Sequence, residues 1–278
     1  MADDRAFGSL GALRREFVKG CAAMLGGVAL TTSSSLFSST VAAAGMSDHV
    51  QTQVNAGSAT ELVATVRQEL ADIDKRIQNH AYLQALRKGK VSVAALKAFP
   101  GHEYHTVISD LRSMAQLVQR FGDQPQTAAF FNGILQGEIA SRDAIVVFAR
   151  KLGMTEAELQ TYEVTSEGFA YPTFMAWESL NGSAAAIACG ILVNFAAWGH
   201  NCGEMSRALQ AKYGFSAADT VFLDTFANLP SFEEETLVII QDGLDHGVDP
   251  REIHRSARLY QAYEKMFWDV LATIAKVA

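Results

Sequence analysis

The chain has 278 residues, 49% of them hydrophobic, and a formal net charge of -7. This length and composition suit one or two domains with a sizeable hydrophobic core. The acidic balance and the lack of a run of Lys or Arg in the sequence argue against a nucleic acid as the partner.

The first 44 residues have the pattern of an export signal. Arg14 and Arg15 precede Phe17 and Lys19, which is similar to the twin-arginine motif. A short apolar run, a Ser/Thr-rich stretch and VAAAG follow, in the usual order of such signals. We therefore expect export by the twin-arginine machinery, cleavage near Ala44, and a periplasmic or otherwise exported mature chain. A membrane anchor is the alternative, although the apolar run is short for a span.

From Ala59 onward, the spacing of apolar residues predicts one helix after another and no convincing strand. Residues 45–58 are interpreted as a loose leader and residues 59–278 as one all-α domain. Glycines and prolines separate the elements. The predicted helices are 59–87, 92–99, 101–121, 126–152, 155–161, 171–180, 183–212, 216–228, 231–246 and 250–277.

The helix that begins SAAAIACGILVNFAAW (183–198) is small or apolar on every side. Such a helix is normally central and buried. Asn194 lies on an apolar face of this helix, where its amide needs hydrogen-bond partners. Cys189 and Cys202 lie roughly 20 Å apart if the helix is continuous, which is too far for a disulfide.

Three carboxylates fall on inward helix faces when side chains are placed at about 100° per residue. Glu264 lies within the apolar stripe of the last helix (YQAYEKMFWDVL, 260–271). A buried carboxylate can serve as a general acid or base, and the alternative is a structural partner such as a buried Arg. Glu103 lies at the edge of the inward-facing side of its helix. Because it is also in the first turn of that predicted helix, the helix dipole alone could favour a carboxylate there. Glu138 is expected to be structural, because Arg142 could neutralise it.

The histidines are not predicted to form a metal site. In the segment HEYH, His102 and His105 fall on the polar side of their helix. His200 and Glu204 are four residues apart and could bind a metal, but this spacing is more typical of a surface pair. We therefore predict neither a metal nor another cofactor.

Several segments resemble the TenA family, which comprises thiaminase II and its relatives. AYEKMFWDVL (262–271) is similar to the C-terminal helix in which that family carries its catalytic Glu, here Glu264. HAYLQALRKGKVSVAALKAF (80–99) resembles the family segment before the acidic helix, and AYPTFMAWESLNGSAAAIACGILVN (170–194) resembles the approach to the nucleophile. The resemblance spans most of residues 75–270.

This resemblance implies a single helical domain of the heme-oxygenase-like type found in TenA and PqqC. It also implies roles for individual residues. Glu264 would be the catalytic residue. Glu103 would stand where the family has the Asp that holds an aminopyrimidine, and Tyr171 would match an active-site Tyr.

The sequence departs from the family pattern at three positions. The catalytic Cys of the family falls on Asn194, and two Tyr residues fall on Trp198 and Phe226. An Asn cannot act as a thiolate nucleophile. Neither Cys189 nor Cys202 aligns with the position of the family Cys. A standard Cys-dependent thiaminase II activity is therefore not expected.

The wider superfamily also contains cofactorless PqqC-like oxidases and di-iron oxidases. The di-iron members need a Glu and a His seven residues apart, together with a His/Asp/His set on the last long helix. Here the residue seven positions after Glu138 is Ile145 and not a His. In the last helix, His254 is followed by Arg258 and Gln261 where the other two ligands would be expected. A di-iron centre is therefore not expected.

Together these observations predict one enclosed pocket for a small heteroaromatic ligand. The leading hypothesis is a TenA-like hydrolase that acts on an aminopyrimidine or thiamin-related compound. The alternatives are an exported binding protein without catalysis and a PqqC-like oxidase. The family often assembles, so a homo-oligomer is expected. The predicted site residues are Glu264 as the catalytic group and Glu103, Tyr171, Asn194, Trp198, Phe226 and Phe267 as substrate-binding groups. Trp268 is predicted as a further residue of the pocket wall.

Overall fold

The computed structural model describes residues 58–277. The predicted export signal and nearly all of the predicted leader lie outside these residues. The described part of the chain is helical and contains no β-strand, which confirms the predicted all-α fold. The helices are α1 (Ala59–Gln78), α2 (Ala81–Arg87), α3 (Val93–Leu96), α4 (Ala98–Arg120), α5 (Pro125–Lys151), α6 (Glu156–Gln160), α7 (Ala170–Asn181), α8 (Ala184–Lys212), α9 (Val221–Ala227), α10 (Glu233–Asp245) and α11 (Pro250–Ile274).

Several helix boundaries differ from the prediction: α9 begins at Val221 rather than at 216, α11 ends at Ile274 rather than at 277, and two further differences lie at His80 and Pro100. The predicted helix 59–87 is broken because the ring of His80 accepts a hydrogen bond from the N–H of Tyr82 at 3.3 Å and so begins a new helix. The predicted break at Pro100 is absent, since α4 already begins at Ala98. Pro100 lies in the first turn of α4, where its missing N–H needs no partner.

Helix α8 is central, as its apolar sequence predicted. It packs against α1, α2, α9, α10 and α11. Among the described residues, only α8 has the length and composition of a membrane span, but 78% of its apolar stretch is buried inside the protein, as in a core helix. Cys189 and Cys202 are both buried on α8, and both are free thiols.

Helices α8 and α11 approach each other closely where Gly190 faces Tyr260. A Cβ atom at position 190 would overlap the Tyr260 ring, so this contact requires Gly. Tyr260 is fully buried, and its ring packs against Tyr171 and Phe174 at centroid distances of 5.4 and 5.2 Å. The contact lies one turn before a predicted site residue on each helix, and it sets the spacing between them.

Two hydrophobic clusters meet beside α8. One contains Trp198, Phe267 and Trp268, and the other contains Ile191 and Tyr260. Phe195 packs against both clusters. Asn194 and Glu264 lie beside Phe195, where the two clusters meet.

Candidate active site

A small cavity lies among α4, α5, α7, α8, α9 and α11. The space open to the centre of a water molecule is about 40 Å³, which is enough for a few waters. The predicted catalytic and substrate-binding residues all line this cavity, whereas Trp268, also predicted as a wall residue, does not. The lining residues are Glu103, Thr106, Val107, Asp110, Glu138, Tyr171, Asn194, Phe195, Trp198, Phe226, Glu264 and Phe267.

Helix periodicity explains how α4 supplies one side of the cavity. Glu103, Thr106, Val107 and Asp110 are spaced at i, i+3, i+4 and i+7, so they share one face of the helix. Glu103 was predicted from the sequence and Asp110 was not, although the same spacing identifies it as a residue of this face. Asp110 is buried, and its Oδ1 has no hydrogen-bond partner among residues 58–277.

Glu264 is held by two neutral donors. The indole N–H of Trp268 donates to Oε1 at 2.6 Å, and the amide of Asn194 donates to Oε2 at 3.3 Å. Burial raises the pKa of Glu264 to about 7, and the two hydrogen bonds oppose this rise. Both protonation states are therefore accessible near neutral pH. Trp268, predicted to lie on the wall, lies behind Glu264 as its donor.

Asn194 links three helices. Its Oδ1 accepts a hydrogen bond from the hydroxyl of Tyr171 at 3.2 Å, and its Nδ2 donates to Gln261 Oε1 at 3.2 Å as well as to Glu264. Gln261 in turn donates to Asp74 on α1. Asn194 and Gln261 are both buried, and each uses both its amide oxygen and its amide nitrogen in hydrogen bonds.

The wall opposite these amides is acidic. Burial, reinforced by neighbouring carboxylates, raises the pKa of Glu103 and Asp110 well above their ordinary values. Burial raises the pKa of Glu138 to about 8. None of the residues that line the cavity is Lys, Arg or His, so nothing on the described wall neutralises these groups.

The expectation that Arg142 neutralises Glu138 is wrong. Arg142 donates instead to Glu156 at 2.9 Å and to Asp143 at 3.4 Å. The reason is that α6 places Glu156 near the exposed side of α5, where Arg142 lies. Glu138 is therefore part of the cavity wall.

The remaining walls are aromatic. Trp198 stacks on Phe99, with centroids 6.1 Å apart and an interplanar angle of 13°. Its ring also meets Phe226 at 5.8 Å and Phe267 at 6.0 Å, edge to face. These rings fill space between the helices, which explains why the cavity is small.

The predicted placement of His102 on a polar helix face is wrong. His102 is buried, its Nδ1 bonds to the carbonyl of Ala98 at 2.9 Å, and its Nε2 accepts the N–H of Thr165 at 3.2 Å. Residues 161–169 cover this face of α4, which the projection of a single helix cannot reveal. His105 has a shielded Nε2 without a partner in the described part of the chain.

The described residues contain no group of three His, Cys, Asp or Glu side chains that could hold a metal ion. Glu204 pairs with Arg87 at 3.0 Å and with Arg207. These two ion pairs give Glu204 cationic partners other than His200.

The comparison with known families matches residues 67–272 to the TENA/THI-4/PQQC family. A search of curated proteins found no significant match. Among solved structures, a TenA homolog from Pseudomonas syringae pv. tomato aligns with a TM-score of 0.65 and 17% identity, over 81% of this chain and 100% of that one. A TenA homologue from P. horikoshii aligns with a TM-score of 0.62 and 16% identity, over 77% and 99%.

A domain of unknown function with a heme oxygenase-like fold, from Shewanella denitrificans, aligns with a TM-score of 0.61 and 12% identity, over 77% of this chain and 92% of that one. At such identities the structural likeness shows the fold, and it confirms the predicted heme-oxygenase-like architecture. The family match covers most of the chain. The chain therefore belongs to the TENA/THI-4/PQQC family, which supports a TenA-like or PQQC-like role.

Proposed function

We propose that the chain is a TenA-like hydrolase that cleaves a C–N bond in a small heteroaromatic compound of the aminopyrimidine or thiamin-related kind. The observation that carries this proposal is Glu264. It is a buried carboxyl group on the wall of the cavity, with a pKa raised to about 7 by burial. A group with such a pKa can both accept and return a proton near neutral pH.

In the proposed reaction, ionised Glu264 takes a proton from a water molecule whose oxygen adds to the carbon of the C–N bond. As the new C–O bond forms or the resulting adduct collapses, the C–N bond breaks and its electron pair goes to the nitrogen. Glu264 returns the proton to an amide- or amine-type leaving nitrogen, or to water where a quaternary ring nitrogen of the thiamin kind leaves as a neutral heterocycle. Asn194 and Trp268 keep the carboxylate oriented through their hydrogen bonds. No covalent intermediate with the protein is needed.

The state of the two cysteines supports water, rather than a thiolate, as the nucleophile. Burial raises the pKa of Cys189 to about 12 and also raises that of Cys202. Neither residue is among those that line the cavity. Both therefore remain thiols near neutral pH, and thiols are poor nucleophiles.

The acidic wall supports a ligand that is cationic or rich in N–H donors. Glu103, Asp110 and Glu138 offer acceptor oxygens, and the aromatic rings suit a flat heterocycle. An anionic ligand would meet several buried carboxyl groups and no basic side chain among the residues that line the cavity. Glu103 is proposed to accept a hydrogen bond from a ring amino group.

The presence of Asn194 in place of the family nucleophile favours one further candidate, an exported protein that binds the same ligand without turnover. The two candidates share the cavity and its charge. They differ in whether a C–N bond is cleaved, so they are separated by an activity assay and not by a binding measurement.

We test the proposal with three pyrimidines that share a 4-amino group and carry an aminomethyl, a hydroxymethyl or a carboxyl group at position 5. The aminomethyl cation should bind at least about tenfold more tightly than the neutral alcohol. Its affinity should rise from about pH 6 to about pH 9, because the cation pairs with ionised carboxylates and Glu138 loses its proton near pH 8. Calorimetry in buffers of different ionisation enthalpy should record released protons.

Glu138→Gln should reduce the advantage of the cation, whereas Glu234→Gln, at an exposed position outside the cavity, should not. Equal binding of the carboxylate analogue would contradict the proposed ligand class. Turnover is followed by mass spectrometry with thiamin and with acylated aminomethylpyrimidines, together with an oxygen electrode. Oxygen consumption without C–N cleavage would favour the PqqC-like alternative over hydrolysis.

We also propose that the mature protein is exported. The support is the sequence pattern around Arg14 and Arg15. Replacing both residues by Lys should leave an uncleaved precursor inside the cell, detected by fractionation and by the mass of the intact chain. Export of the double variant at the wild-type level would remove the twin-arginine proposal.

A further inference from the structure

A hydrogen-bonded chain leads from the surface of α1 to Glu264. Gln261 Nε2 donates to Asp74 Oδ1. Asn194 Nδ2 donates to Gln261 Oε1 at 3.2 Å and to Glu264 Oε2 at 3.3 Å. The chain thus joins α1, α8 and α11 and begins at a half-buried carboxylate outside the cavity.

Each residue of this chain determines whether the next residue presents its donor or its acceptor. An ionised carboxylate only accepts hydrogen bonds, so Asp74 turns the donor end of Gln261 towards itself. The carbonyl of Gln261 then faces Asn194, which has to present its own donor end. The hydroxyl of Tyr171 can donate or accept, so it does not set the direction and instead donates to Asn194.

Reversed amides would turn carbonyl oxygens towards Asp74 at one end of the chain and towards Glu264 at the other, where ionised carboxylates offer no donor. Gln261 is 0% exposed and Asn194 is 2% exposed, so water cannot satisfy a reversed group, and unpaired buried polar groups are rare in folded proteins. Only Asp74 is partly open to solvent. The charge of Asp74 therefore determines how the amides of Gln261 and Asn194 are oriented.

We infer that Asp74 is a positioning residue that acts through Gln261 and makes Asn194 present its N–H, rather than its carbonyl, to Glu264. The inference rests on the proposed function only in taking Glu264 as the proton-transfer group. If the chain were reversed, Asn194 Oδ1 would face the carboxyl group. Ionised Glu264 would lose a donor and gain a repulsive neighbour, so its pKa would rise.

Other titratable groups face Glu264 and stay unchanged in the test. Trp268 serves as the reporter, because its indole N–H donates to Glu264, and its nitrogen and proton resonances should follow the ionisation of that carboxyl. The protein has three Trp residues, so the indole signals can be assigned by substitution. The unchanged groups are Glu103 and Asp110 from α4, Glu138 from α5, Tyr171 from α7 and Cys202 from α8.

In the whole chain, Asp74→Lys places a group that only donates beside Gln261, which should reverse both amides. The midpoint of the Trp268 titration should then rise by about one pH unit. By itself, the added positive charge would lower the midpoint, because it favours ionised Glu264. Asp72→Lys makes the same change of charge at an exposed position on α1, and it should leave the midpoint at or below the wild-type value.

Asp74→Asn keeps an acceptor oxygen and should keep the wild-type midpoint, and Glu264→Gln should abolish the titration. In a Gln261→Met background, Asp74→Lys should no longer raise the midpoint, because the link to Asn194 is gone. If Asp74→Lys does not fold, Asp74→Arg takes its place, and the same rise in the midpoint is expected. A midpoint in Asp74→Lys that is unchanged or lower than wild type would overturn the inference. Because this readout needs no substrate, a failure of the proposed hydrolysis would be seen separately in the turnover assay.

Discussion

Replacing Glu264 by Gln should lower turnover by about a thousandfold while leaving the melting temperature unchanged or higher. General acid–base catalysis contributes about 10² to 10⁴ in rate, and Gln cannot transfer the proton at neutral pH. The substitution keeps the shape of the side chain and an oxygen that can accept from Trp268. It also removes a carboxyl group whose ionisation is opposed by burial.

The measurement combines product formation by mass spectrometry, ligand affinity by calorimetry and melting temperature by scanning fluorimetry. Glu69→Gln is the matched control, because Glu69 is an exposed carboxylate that pairs with His254 at 2.8 Å, and it should affect neither rate nor affinity. A drop of many degrees in the melting temperature of Glu264→Gln, with ligand binding unchanged, would make Glu264 a structural residue and not a site residue.

The free energy of unfolding should fall as pH rises from about 5 to about 9. Folding raises the pKa of Glu264 to about 7 and that of Glu138 to about 8. It also raises to about 7 the pKa of Glu178, a buried carboxyl group of α7 that does not line the cavity. The folded state therefore binds more protons than the unfolded state between the ordinary carboxyl pKa, about 4.3, and these raised values. The resulting stabilisation is fully present below the pKa of the unfolded carboxyl group and is lost as pH rises through the pKa of the folded state. The loss amounts to about 3 kcal/mol of unfolding free energy for each fully buried group.

Urea unfolding at about pH 5, 7 and 9 measures this dependence. Glu138→Gln should flatten the curve and stabilise the protein at the highest pH, because it removes one of the groups that must ionise inside the fold. The exposed control Glu234→Gln should reproduce the wild-type curve. An unfolding free energy that increases with pH over this range would show that these carboxyl groups are not buried as the structure places them.

Helix periodicity was sufficient to predict part of the site. Glu264 and Asn194 could be assigned to inward faces because each lies within an apolar stripe of a long helix, and neighbouring helices then bury the same side. Tyr171, Trp198 and Phe226 depended on the family resemblance, since no local pattern distinguishes a wall residue from an ordinary core residue.

The missed features depend on what covers a helix from elsewhere in the chain. His102 is buried by residues 161–169, which follow it by about sixty positions. Arg142 turns away from Glu138 because α6 offers Glu156. Gln261 was considered only as the position of a missing metal ligand, although in the structure it carries the hydrogen bond from α1 to the site. None of these contacts is encoded in the spacing of a single helix.

The close approach of Gly190 to Tyr260 has a consequence for reading mutational scans of this protein. A Cβ at position 190 would overlap the buried ring of Tyr260. Separating α11 from α8 would relieve this overlap, and it would displace Glu264, which lies one turn farther along α11. Substitutions at Gly190 would therefore score as inactivating in a library screened for function, alongside true active-site positions, although this residue does not line the cavity. Scoring the same library separately for abundance and for activity would distinguish a spacer between two helices from a residue that touches the ligand.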